Sequence, residues 1–244
     1  MSKKILITQS NYIPWRGYFD AIRVADVLVL YDEVQYTRRD WRNRNRILLQ
    51  QKPHWLSIPV AVKGKFLQTI EEVQVSDQNW RKTHWEVLRH AYNKAPYWQE
   101  ISELLMPLYL HSTETTLSQI NFHFIRTILQ YLHINTPIIW SNSIPKHTAD
   151  ASLRLLEICK FLQADTYLSG PAAKAYLHTS AFAQQNVRVA YFNYTNYPSY
   201  PQIGSTFFVP QLSVLDLLFN EGKNAVRYLK SYPEVSNIPF YEFV

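Results

Sequence analysis

The chain opens on a short apolar run bounded by polar residues, Lys4–Thr8 (KILIT), a pattern that predicts a buried strand. Asn11, Pro14 and Gly17 then punctuate a loop, and Phe19, Ile22 and Ala25 recur at helical spacing within Tyr18–Ala25. Asp26 precedes VLVLY, a second buried run that ends at Asp32. Strand, loop, helix and strand within about 30 residues make a βαβ unit. Two strands joined in that way pair parallel, through a right-handed crossover.

The pattern then changes twice. Arg42–Gln50 and His54–Val62 read as two strands joined at Gln51–Pro53, with Lys63–Lys65 a turn and Thr69–Val75 a third extended segment. From Asp77 to His133 the period becomes helical: Trp80, His84, Val87, Leu88 and Ala91 share one face, Pro96 and Pro107 interrupt, and Leu117–Leu132 is the longest amphipathic stretch. Alternation then resumes. Ile138–Ser141, Thr166–Ser169 and Arg188–Tyr194 read as strands; Ser152–Leu162, Pro171–Gln184 and Leu212–Asn220 read as helices, the last ending at Gly222. The expected fold is α/β: a mostly parallel, three-layer, Rossmann-like sheet in a single domain over residues 1–244, with a helical insertion in the middle of the chain, 77–133, as a possible subdomain.

Composition narrows the function classes. A hydrophobic content of 47% with 18% charged residues belongs to a folded chain. The lone cysteine, Cys159, excludes an internal disulfide and fits a reducing compartment, and its spacing with Leu153, Leu156 and Leu162 places it on an apolar helix face. No segment reaches the ~20 apolar residues of a transmembrane helix. The start carries only a four-residue apolar run, too short for a signal peptide, so a cytoplasmic location is expected. The net charge of +6 suits an anionic small molecule; nucleic acid is disfavoured because no second basic cluster is present to track a backbone.

Ligands of open α/β sheets bind beyond the carboxyl ends of the strands, and three segments qualify. The loop Gln9–Tyr18 offers the amides of Gln9 and Asn11 and the rings of Tyr12 and Trp15. Arg38–Arg46 holds five arginines in nine residues; if extended, Arg42, Arg44 and Arg46 point to one face and Asn43 and Asn45 to the other, an arrangement able to grip a diphosphate. The third segment ends a strand on Ser169 and Gly170 and begins a helix at Pro171 with Lys174 one turn on, a candidate anion site. Asp20, Asp32, Glu33 and His84 are the candidate bases. Zinc-ligand spacing, a Walker loop, a dinucleotide fingerprint and a nucleophile elbow are all missing, so the residues single out no metal and no cofactor.

Several stretches together resemble the WbqC-like family of bacterial polysaccharide and O-antigen gene clusters: QSNYIPWRGYFDAIRVADVLVLYDEVQY, DWRNRNRIL, WRKTHWEVLRHAYNKAPYW, ADTYLSGPAAKAYL, YPSYPQ and LSVLDLLFNEG. The resemblance runs from about residue 5 to 222. It implies a transferase that moves a glycyl or other acyl group to the amine of a nucleotide-linked amino sugar. On that basis Asp32 or His84 is expected as base, with Asn43, Ser169 and the N–H groups near Gly170 polarising the donor carbonyl. Arg42, Arg44 and Lys174 are expected on phosphate, and Tyr200 and Gln202 join the substrate-binding set. Two positions depart from the family pattern: Gln9 is followed by Ser10 where proline is usual, and Tyr197 stands where histidine is expected. Nucleotidyl transfer, ATP-dependent ligation and non-catalytic binding of nucleic acid or another anionic partner are the competing readings.

Overall fold

The computed structural model describes residues 2–232 and 240–243. The fold is mixed α/β with seven α-helices and a central six-stranded sheet among the described residues. The βαβ start is as the apolar pattern predicts: β1 (Lys4–Thr8), α1 (Arg16–Arg23) and β2 (Val27–Leu30), with Ile5 opposite Val27 and Thr8 opposite Leu30 in parallel register. β5 (Ile138–Trp140) adds outside β2, while β6 (Thr166–Ser169) pairs with the other edge of β1 and is followed by β7 (Arg188–Phe192), all parallel. β8 (Tyr241–Phe243) closes the far edge antiparallel to β7, a strand that the sequence pattern does not signal. The sheet order is therefore β5-β2-β1-β6-β7-β8.

Alternate strand residues feed two separate buried clusters. Leu6, Leu28, Leu168 and Phe192 pack with α1 and with the middle helices α2 (Trp80–Tyr92), α3 (Trp98–Met106) and α4 (Leu117–Tyr131). Ile5, Val29, Tyr167 and Val189 pack instead with α5 (Ala151–Phe161) and α6 (Thr179–Gln184). Strands covered on both faces read as unbroken apolar runs, which is why KILI and VLVL carry no alternation. Residues 77–133 thus share a continuous core with the sheet.

Three local expectations need correction. The hairpin of β3 (Arg44–Leu49) and β4 (Lys52–Ser57) turns at Gln50 and Gln51, both left-handed with φ of 49° and 63°, and not at Gln51–Pro53. Pro53 pairs opposite Leu48 on an exposed strand of a two-stranded sheet, where a missing N–H is tolerated. Thr69–Val75 is extended only at its ends: Thr69, Gln74 and Val75 make isolated bridges to Gln35, Thr116 and Val60, while between them the chain turns, with Glu72 accepting from the Thr69 N–H at 2.8 Å and Val73 N–H bonding the Ile70 carbonyl. Pro171–Gln184 divides into a 3₁₀ turn, Pro171–Ala175, and α6, because the His178 N–H is captured by Ser152 Oγ of α5 at 2.9 Å.

Candidate functional site

Between β1 and β6 the chain reverses its direction of travel across the sheet: β2 and β5 lie on one side, β6 and β7 on the other. The two connections leave the adjacent strand ends in opposite directions, and a crevice opens between them. A cavity of about 310 Å³ occupies that crevice, lined by Thr8 at the end of β1 and Gln9 after it, Ser169 at the end of β6 and Gly170 after it, and Tyr31 and Tyr176 around them. A second cavity of about 310 Å³ lies along the β1 loop, lined by Asn11, Trp15, Trp41, Asn45, Tyr194 and Gln211.

Arg42 lines neither cavity but is hydrogen-bonded to a lining amide of each. Its guanidinium donates to Gln9 Oε1 at 2.8 Å and to Asn11 Oδ1, so one cation is gripped by one amide from each cavity. Asp40 lies 3.6 Å away, the Arg42 side chain is 14% exposed, and its carbonyl accepts from Asn121 Nδ2 of α4 at 2.9 Å. A guanidinium has five N–H donors, so two held by amides leave others for an anion.

The loop that carries Gln9, Asn11 and Trp15 is held by side chains from distant elements. Asp32, at the end of β2, accepts from the Ser10 N–H at 2.7 Å and from Ser118 Oγ of α4. The Tyr12 N–H reaches the Trp41 carbonyl, and Ile13 is forced into the left-handed region at φ 37°, strained for a β-branched residue. Asn45 of β3, 2% exposed, secures that turn: its Nδ2 donates to the Tyr12 carbonyl at 3.2 Å and the Ile13 carbonyl at 3.0 Å, while Oδ1 accepts from the Arg46 N–H at 2.8 Å. Ser213 Oγ also donates to the Ile13 carbonyl, at 2.7 Å. A Cβ at Gly17 would come within 2.2 Å of the Trp15 indole, so glycine there lets the ring lie flat against the start of α1.

The structure gathers some of the predicted residues and sets others apart. Gln9, Ser169 and Gly170 share the strand-end cavity, and Asn11 and Trp15 the second. Tyr12 lies behind the loop, fully buried, with its hydroxyl 2.9 Å from His84 Nδ1 and 2.7 Å from the Tyr109 hydroxyl. His84 is buried with it, lines neither cavity, and burial lowers its pKa to about 4. Asp32 has its two oxygens engaged as described, Glu33 is ion-paired with Lys146 at 2.8 Å, and Asn43 is spent between the Tyr36 hydroxyl and the Ile58 carbonyl. Arg44 stacks over Trp55 at 4.4 Å, outside both cavities, and the Lys174 ammonium sits 5.1 Å from the Tyr191 ring. The strand alternation of Arg44 and Arg46 opposite Asn45 holds; Arg42, which precedes β3, turns away to the β1 loop.

Tyr200 and Gln202 belong to a different buried network centred on Asp216 of α7 (Val214–Glu221). The Tyr200 hydroxyl (2.8 Å), Gln202 Nε2 (2.7 Å) and the Tyr92 hydroxyl (2.7 Å) all donate to that carboxylate, whose pKa burial raises. Tyr197, where histidine was expected, donates its hydroxyl to Asp20 Oδ2 at 2.7 Å; Asp20 also accepts from the N–H groups of Lys230 and Ser231. Sequence reading missed Asn45, Trp41, Tyr194 and Gln211 as cavity residues. For Asn45 a signal existed: an amide alternating with arginines on a strand must face inward and be satisfied there. For Tyr194 and Gln211 there was none, since each arrives from a separate loop.

Among the described residues no group of three or more histidine, cysteine or acidic side chains is placed to hold a metal, and no helix is long and apolar enough to cross a membrane. The WbqC-like protein family matches residues 9–228. The protein named Uncharacterized protein Rv1507c of Mycobacterium tuberculosis is 43% identical over 229 residues, which cover 93% of this chain and 98% of the relative. No solved structure matches the chain.

Proposed function

This chain belongs to the WbqC-like protein family, and from that premise we propose that it transfers a glycyl or other acyl group to the amine of a nucleotide-linked amino sugar in bacterial surface polysaccharide synthesis. The observation that supports this most is the pair of cavities at the β1 strand end, whose lining amides Gln9 and Asn11 are both bonded by the Arg42 guanidinium. In this reading Arg42 holds the diphosphate by charge-assisted hydrogen bonds. Trp15, Trp41 and Tyr194 present aromatic surface to the base or sugar ring. The backbone beside Gly170, with Ser169 once its hydroxyl turns from the Tyr167 hydroxyl 3.3 Å away, polarises the donor carbonyl as the amine nitrogen bonds to it; the bond to the donor's leaving group breaks and that group carries off the amine proton.

Neither His84 nor Asp32 serves as the base in this scheme, since both are buried and committed to other partners. No carboxylate, histidine or cysteine lines either cavity among the described residues. Acceleration then comes from orientation of an amine that arrives neutral, together with carbonyl polarisation. The same observation favours a second reading, ligand binding without chemistry.

Calorimetry with nucleotide-linked amino sugars tests the binding half. Arg42→Ala is expected to weaken binding by roughly ten- to a hundred-fold, the range for charge-assisted hydrogen bonds. Arg44→Ala is expected to leave it unchanged, because that guanidinium is stacked elsewhere. Equal affinity in wild type and Arg42→Ala refutes the site. Mass spectrometry of the nucleotide sugar after incubation with activated acyl donors tests the chemical half: an acyl mass increment supports transfer, and binding without any increment leaves the second reading.

A further inference from the structure

The outer face of the β3–β4 hairpin is uncovered and unusually aromatic. Trp41 and Trp55 lie with ring centroids 5.6 Å apart and are 42% and 43% exposed. Arg46, cross-strand from Trp55, lies over both rings at 5.8 and 5.5 Å, and Arg44 covers Trp55. The face continues through Arg39, whose carbonyl accepts from Arg44, to Arg38. Arg38 lies 5.5 Å from the Phe66 ring and donates to the Val62 carbonyl at 2.7 Å.

Phe66 and Leu67 form the tip of the Lys63–Leu67 turn, with Gly64 at φ 75° letting the chain reverse. They are the most exposed large apolar side chains of the described residues, at 71% and 85%. Lys63 and Lys65 precede them on the same turn and are exposed as well. Two acids lie nearby: Asp40, facing Arg42, and Glu72, drawn below its usual pKa chiefly by hydrogen bonds from Thr69, with Lys65 a lesser cause.

Exposed apolar side chains gain nothing from water, and a contiguous set of them on a folded surface marks a docking face. Here they alternate with guanidinium and ammonium groups, a combination that suits the boundary between lipid headgroups and acyl chains. Tryptophan prefers that depth, long basic side chains reach back to the headgroups, and a phenylalanine–leucine tip enters the acyl region.

We propose that this face, from Trp41 and Trp55 to the Phe66–Leu67 tip, docks the protein on an anionic lipid surface. The proposal is independent of acyl transfer. Trp41 lies both on this face and in the second cavity, so docking sets that cavity beside the membrane.

Flotation with lipid vesicles tests this, using the full chain. Wild type is expected to float with phosphatidylglycerol–phosphatidylethanolamine vesicles and to stay behind with pure phosphatidylcholine. Phe66→Ser with Leu67→Ser is expected to abolish flotation at unchanged melting temperature, since both side chains are in solvent. Lys63→Gln with Lys65→Gln is expected to weaken partitioning by on the order of five-fold per charge removed. Failure of wild type to float at low salt overturns the proposal, as does flotation that the Phe66/Leu67 variant retains. Self-association or oligonucleotide retention through this face without vesicle binding also overturns it.

Discussion

Asn45→Ala removes the side chain that holds the strained turn of the β1 loop. Three hydrogen bonds go with it, two from Nδ2 to the Tyr12 and Ile13 carbonyls and one to Oδ1 from the Arg46 N–H, all in a residue 2% exposed. The Ile13 carbonyl keeps Ser213 Oγ, whereas the Tyr12 carbonyl and the Arg46 N–H lose the partners that Asn45 gave them. At about 1 kcal/mol for each bond, with stranded buried groups adding to that, the cost is about 3–4 kcal/mol. A chain of this size shifts its melting point by roughly 2–4 °C per kcal/mol, so a fall of about 6–16 °C is expected. The loss should also be local. With the clamp gone, Ile13 is free to leave its φ of 37°, and hydrogen exchange should accelerate across residues 9–18 well before global unfolding. Urea denaturation gives the free-energy cost, thermal denaturation the melting point, and exchange mass spectrometry the local opening. Asn43→Ala is the matched control, since the Asn43 side chain hydrogen-bonds Tyr36 and Ile58 and not the loop. A melting point within about 2 °C of wild type, or faster exchange spread evenly over the chain, refutes the clamp.

Burial holds His84 neutral, with a pKa of about 4 against 6.5 in the open chain. Between those values the unfolded chain binds a proton that the native protein refuses, so stability is complete above pH 6.5 and falls as acid is added, by about 3 kcal/mol at pH 4. Urea titrations across that window should show the slope in wild type and a shallower one in His84→Gln; parallel curves contradict the assignment. Cys159 is fully buried, and burial pushes its thiol pKa up. Iodoacetamide should therefore leave it unmodified in the native protein and label it after denaturation, as read by intact mass; rapid native labelling would contradict the packing.

How much of this was legible follows from the range over which each feature is determined. The runs KILI and VLVL, bounded by polar residues, specify β1 and β2, because a strand buried on both faces has to be apolar throughout. The helical period of α2 and α4 and the short crossover between β1 and β2 are local in the same sense. Hairpin detail was less legible. Neither Gln50 nor Gln51 is a residue that advertises a left-handed turn, so its position followed from cross-strand pairing and not from turn chemistry. The last strand, β8, is three residues long and forms only against β7.

The same division runs through the candidate site. The sequence by itself marked Gln9, Asn11, Trp15, Ser169 and Gly170, because polar groups at the end of an apolar strand need partners and have few nearby. It could not distribute the arginines: Arg42 turns to Gln9 and Asn11 while Arg44 and Arg46 stack on tryptophan, a choice made by which loop lies opposite each. It could not tell that His84 and Asp32 are enclosed, since a histidine on a helix face or an aspartate after a strand reads identically whether it meets solvent or, as here, Tyr12 and Ser118. Only the tertiary structure decided that β1 lies between β2 and β6, whose residues are more than a hundred positions apart, and so placed a crevice where the chain reverses. Secondary structure answers to neighbours along the chain. A binding site answers to neighbours in space, and those were set by the packing of two apolar clusters on opposite faces of one sheet.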